Sequence, residues 1–179
     1  METRRRLREL IAARCILKGD FLLASGARSS VYFDCKRATL DPEGIALIGE
    51  MLWEAIHALP VEVTAVGGPT IGADPIVGHL AALSWQKGKP LSAFLVRKEG
   101  KGHGTRRLIE NPPPAGSRVA IFEDVVTSGG STLDAARAAE DSGLKVAAIF
   151  CLVDREQGGA AALSAYDYHP FFKKSEFGL

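Results

Sequence analysis

The chain is poor in the features that mark secreted, membrane and metal-binding proteins. Its 179 residues include only three cysteines, Cys15, Cys35 and Cys151, and these lack any Cys-x-x-Cys or Cys/His ligand spacing. A disulfide framework and a zinc site are therefore not indicated, and we expect reduced, mostly buried thiols. No apolar run approaches the roughly 20 residues of a membrane span, and no signal-type apolar core follows the arginines at positions 4–6. These absences predict a cytoplasmic protein.

An excess of charge of one sign is lacking as well. The chain has 22 Lys and Arg against 21 Asp and Glu, a formal net charge of +1. Because both signs are spread through the sequence, general adhesion to nucleic acid or to membranes is not expected. Neither Gly-x-x-x-x-Gly-Lys-Ser/Thr nor Gly-x-Gly-x-x-Gly occurs, which disfavours a nucleotide triphosphatase and a dinucleotide enzyme. Any anion binding must come from local clusters.

Hydropathy predicts one α/β domain over residues 1–179. Near-continuous apolar runs are typical of strands with both sheet faces covered, and they occur at 61–66, 91–96, 119–122 and 146–153. Helical patterns lie between some of them, at 71–86 and at 132–142, with Gly143 placed to end the second helix. Strands that alternate with helices predict a central parallel sheet flanked by helices, with ligands beyond the carboxyl ends of the strands.

The first 60 residues follow a different pattern. A short amphipathic helix is expected before Gly19, and a longer one after Asp41 and Pro42, which suit the cap and first position of a helix. Two short β-like runs, at 21–25 and 31–34, indicate a hairpin outside the main pattern.

The stretch 119–132 carries the strongest chemical signal. An apolar run ends in Glu123 and Asp124, and a turn of small, hydroxyl-bearing and glycine residues then opens a helix. Backbone N–H groups of such a turn can cradle a phosphate, with Gly129 and Gly130 able to take positive φ. The two carboxylates could accept hydrogen bonds from the vicinal hydroxyls of a sugar. The pattern indicates a sugar phosphate, and the alternative is an ordinary strand, turn and Ser/Thr helix cap.

This stretch resembles the phosphoribosyl-diphosphate (PRPP) motif of the type I phosphoribosyltransferases, and Glu-Asp-Val-Val-Thr-Ser-Gly-Gly-Ser is most similar to the orotate phosphoribosyltransferase family. The resemblance implies a type I phosphoribosyltransferase-like fold with a small N-terminal hood, formed mainly by residues 15–40. It also implies that PRPP is bound by the motif itself, namely Glu123, Asp124, Val125, Val126, Thr127, Ser128, Gly129, Gly130 and Ser131.

A basic loop with interleaved glycines follows the 91–96 run. Three glycines within five residues make a fixed conformation costly, so we expect a lid over residues 98–111 that orders when an anion compensates its charge. A solvated surface loop is the alternative. Arg97-Lys98-Glu99-x-Lys101-x-His103 is similar to the flexible loop of the orotate family. That resemblance implies diphosphate binding by Arg97, Lys101 and His103, and a Lys98 that serves the neighbouring subunit of a homodimer. Lys101 and His103, with Asp124, are then the expected catalytic residues.

The end of the 146–153 run is the third candidate segment. Arg155 could grip a planar carboxylate there, although an Asp154-Arg155 pair is often only a surface ion pair. By the resemblance, Arg155 and Thr127 contact orotate. The chain departs from some family members at Ala24, where they have Lys, and at Ile71-Gly72, where they have Tyr-Lys.

The resemblance implies an enzyme of pyrimidine biosynthesis that transfers the phosphoribosyl group of PRPP to orotate. Mg²⁺ is expected to arrive with PRPP, and no protein metal ligand is assigned. Two alternatives stay open: a phosphoribosyltransferase for another nucleobase, and a non-catalytic PRPP-binding regulator.

Overall fold

The computed structural model describes residues 2–22, 28–98 and 108–179. The helices are α1 (Glu2–Arg14), α2 (Lys36–Thr39), α3 (Pro42–His57), α4 (Asp74–Gln86), α5 (Gly130–Asp141) and α6 (Gly159–Ala162), followed by a C-terminal 3₁₀ turn (Lys174–Phe177). The strands are β1 (Ile16–Leu22), β2 (Arg28–Phe33), β3 (Ala65–Pro69), β4 (Ser92–Val96), β5 (Ile109–Glu110), β6 (Arg118–Val126), β7 (Lys145–Asp154) and β8 (Tyr168–Lys173).

A six-stranded sheet forms the centre, in the order β5-β4-β3-β6-β7-β8. Its strands are parallel except for β5, which pairs antiparallel with β4. β1 and β2 form a separate antiparallel hairpin. The predicted central parallel sheet flanked by helices is therefore confirmed, and the hairpin lies within the range 15–40 that was assigned to a hood.

Two apolar clusters hold the sheet between its helices. One joins α1, α3 and α4 to the face that carries Phe122, Phe150 and Phe172. The other joins α5 to the opposite face, around Phe94 and Ile121. Each of these side chains is at most 1% exposed, and complete burial of such a group stabilises the fold by roughly 1.5–3 kcal/mol. Because described helices cover both faces, the sheet is open to ligands at the ends of its strands.

Several element boundaries differ from the expectation. β6 continues to Val126 rather than ending at residue 122, because Val125 and Val126 still pair with β7. β3 begins at Ala65 rather than 61, and α4 begins at Asp74 rather than 71. The hairpin strands likewise run over Ile16–Leu22 and Arg28–Phe33 instead of 21–25 and 31–34.

Local signals at the helix ends were predicted well. The side chain of Asp41 caps α3 by accepting from the N–H groups of Glu43 and Gly44. Gly143, with a φ of +81°, follows the end of α5.

The three cysteines are buried free thiols, as expected. Judged by length and hydropathy, the helices of the described residues include no candidate transmembrane span.

Candidate active site

A tight turn joins β6 to α5 at the carboxyl end of the sheet. The order of strand, turn and helix predicted for residues 119–142 is confirmed. Gly129 is the N-cap of α5 with a φ of +84°, whereas Gly130 is not among the positive-φ residues. An added Cβ at Gly129 would lie 3.2 Å from the Ala162 Cβ, so packing against α6 also favours glycine. No side chain caps α5, which makes the alternative of a Ser/Thr cap wrong.

Glu123 lies inside β6 and points toward the first turn of α5. Its Oε2 accepts from the Ser131 hydroxyl at 3.0 Å and from the Thr132 hydroxyl at 3.3 Å. The side chain is buried, and this burial, reinforced by the negative charge of Asp124, raises the pKa of Glu123 to about 8. The carboxyl therefore carries a proton at neutral pH and joins the strand to the turn.

Asp124 occupies the next position of β6 and faces a different neighbour. Its Oδ1 accepts from the Val125 N–H at 2.8 Å. An added Cβ at Gly72 would lie only 2.4 Å from the same oxygen, so the loop before α4 approaches closely because residue 72 is glycine. Burial raises the pKa of Asp124, while the positive charge of Lys36 opposes that rise. The positive charge of Lys36 therefore favours the ionised form of Asp124.

A cleft of about 190 Å³ opens over the acidic pair. Its walls come from four parts of the fold, and the lining residues are Lys36, Pro69, Thr70, Ile71, Gly72, Lys98, Glu123, Asp124 and Ser131. The predicted acidic pair, the start of α5 and Lys98 of the predicted lid thus meet at one place, beside the loop that follows β3. Lys36 was not foreseen, although the basic pair Lys36-Arg37 directly after the hairpin was a visible signal.

The predicted lid leaves the sheet at β4 and rejoins it at β5. The Arg97 N–H donates to the Leu108 carbonyl at 2.8 Å, and the Arg97 guanidinium lies 3.4 Å from a Glu110 oxygen. Ile109 and Glu110, which fall in the predicted lid range, form β5. Lys98 lines the cleft of its own chain. Lys101 and His103 lie outside the described residues, so their roles stay predictions.

Arg155 follows β7 and is 4% exposed. Its backbone N–H donates to the Val126 carbonyl at 2.9 Å, which ties the end of β7 to the end of β6. Its Nη2 lies 3.3 Å from both the Ser29 hydroxyl and the Val31 carbonyl of β2. Within residues 2–22, 28–98 and 108–179, its Nε has no hydrogen-bond partner. A buried guanidinium donor without an acceptor is costly, so a ligand acceptor is expected there.

Asp154 does not pair with Arg155. Its carboxylate instead accepts from the Tyr168 hydroxyl at 3.0 Å and from the Glu156 N–H at 2.7 Å. The alternative interpretation of Asp154-Arg155 as a surface ion pair is therefore wrong. The two side chains have different hydrogen-bond partners. Asp154 fixes the turn, and Arg155 reaches under the hairpin.

Carboxylates and imidazoles of the described residues do not form a group of three that could hold a metal ion. A hydrated Mg²⁺ that keeps its phosphate and water ligands needs few protein donors, and the cleft supplies the acidic pair Glu123 and Asp124. The cleft thus fits an ion that arrives with a phosphate ligand.

Comparison with known proteins agrees with this geometry. No family model matches the chain. A curated orotate phosphoribosyltransferase of Rhodopseudomonas palustris is 41% identical over 181 residues, covering 98% of this chain and 96% of the relative. One from Rhodopirellula baltica is 42% identical over 159 residues, covering 87% of this chain and 82% of the relative.

Solved structures give the same result. The Mycobacterium tuberculosis orotate phosphoribosyltransferase in complex with Fe(III) dicitrate superposes with a TM-score of 0.85 at 36% identity, covering 99% of both chains. The same enzyme in complex with PRPP gives a TM-score of 0.80 at 34% identity, again covering 99% of both chains. With relatives this similar over nearly its full length, the chain belongs to the orotate phosphoribosyltransferase family.

Proposed function

We propose that this protein transfers the phosphoribosyl group of PRPP to orotate, giving orotidine 5′-phosphate and diphosphate. The observation that carries the proposal is the buried Arg155 guanidinium with its unpartnered Nε, at the carboxyl end of β7 and tied to the end of β6. A planar carboxylate such as that of orotate matches the fork of an arginine.

The phosphoribosyl half is assigned to the β6 end. Backbone N–H groups of the turn from Thr127 to Ser131 would hold the 5′-phosphate, beside the positive end of the α5 dipole. Asp124 would accept from the ribose hydroxyls. Glu123 is held by the hydroxyls of α5 and would support Asp124 by keeping its own charge neutral.

In the reaction, the bond from C1 of the ribose to the diphosphate oxygen breaks, and a bond from C1 to a ring nitrogen of orotate forms. That nitrogen loses its proton to the diphosphate product or to solvent water. Positive charge develops on the ribose while negative charge collects on the leaving diphosphate. Arg97, Lys101 and His103 are the residues we assign to that negative charge, with Lys101 and His103 as candidate proton donors. Mg²⁺, when bound with PRPP, would neutralise part of the same charge through its phosphate ligands, and no protein carboxylate is assigned to it.

We also propose a homodimer in which Lys98 completes the neighbouring active site. Subunit mixing tests this assignment. Lys98→Ala and Arg155→Ala chains are each expected to be nearly inactive, and mixing them restores one complete site per heterodimer only if Lys98 acts across the interface. Mixed samples that stay inactive would place Lys98 in the cleft of its own chain, where it lies in the single subunit.

The test of function is diphosphate release by the purified protein with PRPP and Mg²⁺, comparing orotate with uracil, hypoxanthine, guanine and adenine. We expect release that depends on orotate. Release with another base would overturn the role of Arg155 and favour a different phosphoribosyltransferase. PRPP binding without release for any base would favour the regulator.

A further inference from the structure

Lys36 is the cation of the cleft that the functional assignment leaves unused. It opens α2, directly after the hairpin, and lines the cleft together with Asp124 and Lys98. Its Nζ lies 3.3 Å from an Asp34 oxygen, and 45% of its side chain is exposed. The ammonium group is thus accessible from the cleft and keeps donors for a ligand, since a lysine has three.

The position of Lys36 is fixed by the packing of α2. Cys35, just before the helix, and Ala38 within it are both fully buried. An added Cβ at Gly44 would lie 2.3 Å from the Ala38 carbonyl oxygen, so α2 rests directly on the start of α3. A short helix held this tightly keeps the base of the Lys36 side chain at a constant place beside the cleft.

The charges of the cleft require such a cation. The cleft already holds the acidic side chain of Asp124, and the nearby positive charge of Lys36 lowers the pKa of that carboxyl against the effect of burial. A diphosphate that enters the cleft brings further negative charge close to this carboxylate, which costs free energy unless cations lie between them. Among the described residues that line the cleft, Lys36 and Lys98 are the cationic side chains, and the loop from Thr70 to Gly72 supplies none.

We propose that Lys36 is a PRPP-binding residue whose ammonium group contacts the diphosphate. The inference rests on the proposed function and adds a residue to it. Lys36 takes no part in bond making. It compensates charge between the diphosphate and Asp124.

The test is calorimetric titration with Mg²⁺ and no orotate, so that no turnover occurs, using PRPP and ribose 5-phosphate as two ligands. Lys36→Gln should raise the Kd for PRPP by roughly 10- to 100-fold, in line with loss of a hydrogen bond to a charged group. It should change the Kd for ribose 5-phosphate, which lacks the diphosphate, by no more than about twofold. Lys36→Arg, which keeps the charge, should bind PRPP within about fivefold of the wild type.

Arg37→Gln is the matched control. Arg37 is the next residue, lies 3.2 Å from the same Asp34 carboxylate, and is not among the lining residues of the cleft. We expect its affinity for PRPP to be unchanged and all variants to melt like the wild type. Equal weakening of both ligands by Lys36→Gln, or no weakening, would overturn the diphosphate contact. A wild-type protein that does not bind PRPP would overturn the proposed function itself.

Discussion

The ends of β6 and β7 are neighbours in the sheet, yet their polar groups are satisfied in opposite ways. At the end of β6, Glu123 is held by two hydroxyls of α5 and Asp124 by a backbone N–H. At the end of β7, Arg155 is equally buried but keeps an Nε without a partner in the described residues. The protein therefore supplies hydrogen-bond partners to both acids at the end of β6, whereas at the end of β7 the Arg155 Nε is left for a ligand acceptor. The acidic end should behave as a preformed site, and the basic end as the place where binding discriminates between bases.

The largest expected effect is at the basic end. Arg155→Ala should lower kcat/KM for orotate by roughly 10²- to 10³-fold, because a buried charge pair with the substrate loses one partner. Arg155→Lys should not restore activity, since an ammonium cannot replace the fork. Steady-state kinetics, together with a PRPP Kd that stays near the wild-type value, would check this. If Arg155→Ala also weakened PRPP binding, the end of β7 would not be specific for orotate, and the two strand ends would not bind separate substrates.

Asp124→Asn tests the acidic end. We expect PRPP binding to weaken by roughly 10- to 100-fold, because a neutral amide accepts poorly from sugar hydroxyls and does not balance Lys36. Calorimetric titration with PRPP and Mg²⁺ measures the effect. Thermal unfolding should change little, and retained affinity would argue against Asp124 as the ribose ligand.

Gly72→Ala disturbs the acidic end without changing its charge. The new Cβ would lie 2.4 Å from Asp124 Oδ1, so the loop or the carboxylate must shift. A loss of PRPP affinity of roughly threefold to tenfold is expected from such local overpacking. Gly78→Ala is the matched control, because Gly78 lies inside α4 with no atom within 4 Å of an added Cβ. Equal behaviour of the two variants in a PRPP titration would contradict the close contact.

Glu123→Gln should produce the smallest effect, seen in stability. The folded protein keeps a proton on Glu123 up to a pH of about 8, while the unfolded chain loses it near the ordinary pKa of 4.5. Wild-type stability should therefore fall as the pH rises between these values. Between about pH 5 and pH 8, the melting temperature of the wild type should fall by roughly 3 °C or more beyond any fall in the Glu123→Gln variant. Melting curves that move in parallel would mean that Glu123 is already ionised in the fold.

The sequence predicted the family, the sheet and the turn after β6 because each depends on local pattern. Continuous apolar runs, Gly129 at the helix start and the Asp41 cap all signal their structure within a few residues. The boundaries of β3 were missed because Gly67 and Gly68 look like a loop. In the structure they lie in β3, where Phe94 and the Phe122 carbonyl leave no room for a Cβ and so require glycine. β8 was missed because it contains Pro170, which an edge strand can accommodate.

The site was predicted less completely than the fold, because its contacts join distant parts of the chain. Lys36 and Asp124 lie far apart in the sequence, with β3 and β4 between them, and no short pattern links them. The partners of a side chain are equally hidden: both acids line the cleft, yet Glu123 accepts from the hydroxyls of α5 and Asp124 from the Val125 N–H. The roles given to Lys101 and His103 remain predictions from the resemblance.

The contact of Arg155 with Ser29 and Val31 means that one guanidinium is shared between the β1–β2 hairpin and the proposed substrate. A carboxylate bound to Arg155 would change how firmly the hairpin is held, and by reciprocity the hairpin must change the affinity for that carboxylate by the same factor. Base recognition would then be thermodynamically linked to a strand that is remote in sequence. Substitutions in β2 could alter substrate choice without touching the substrate.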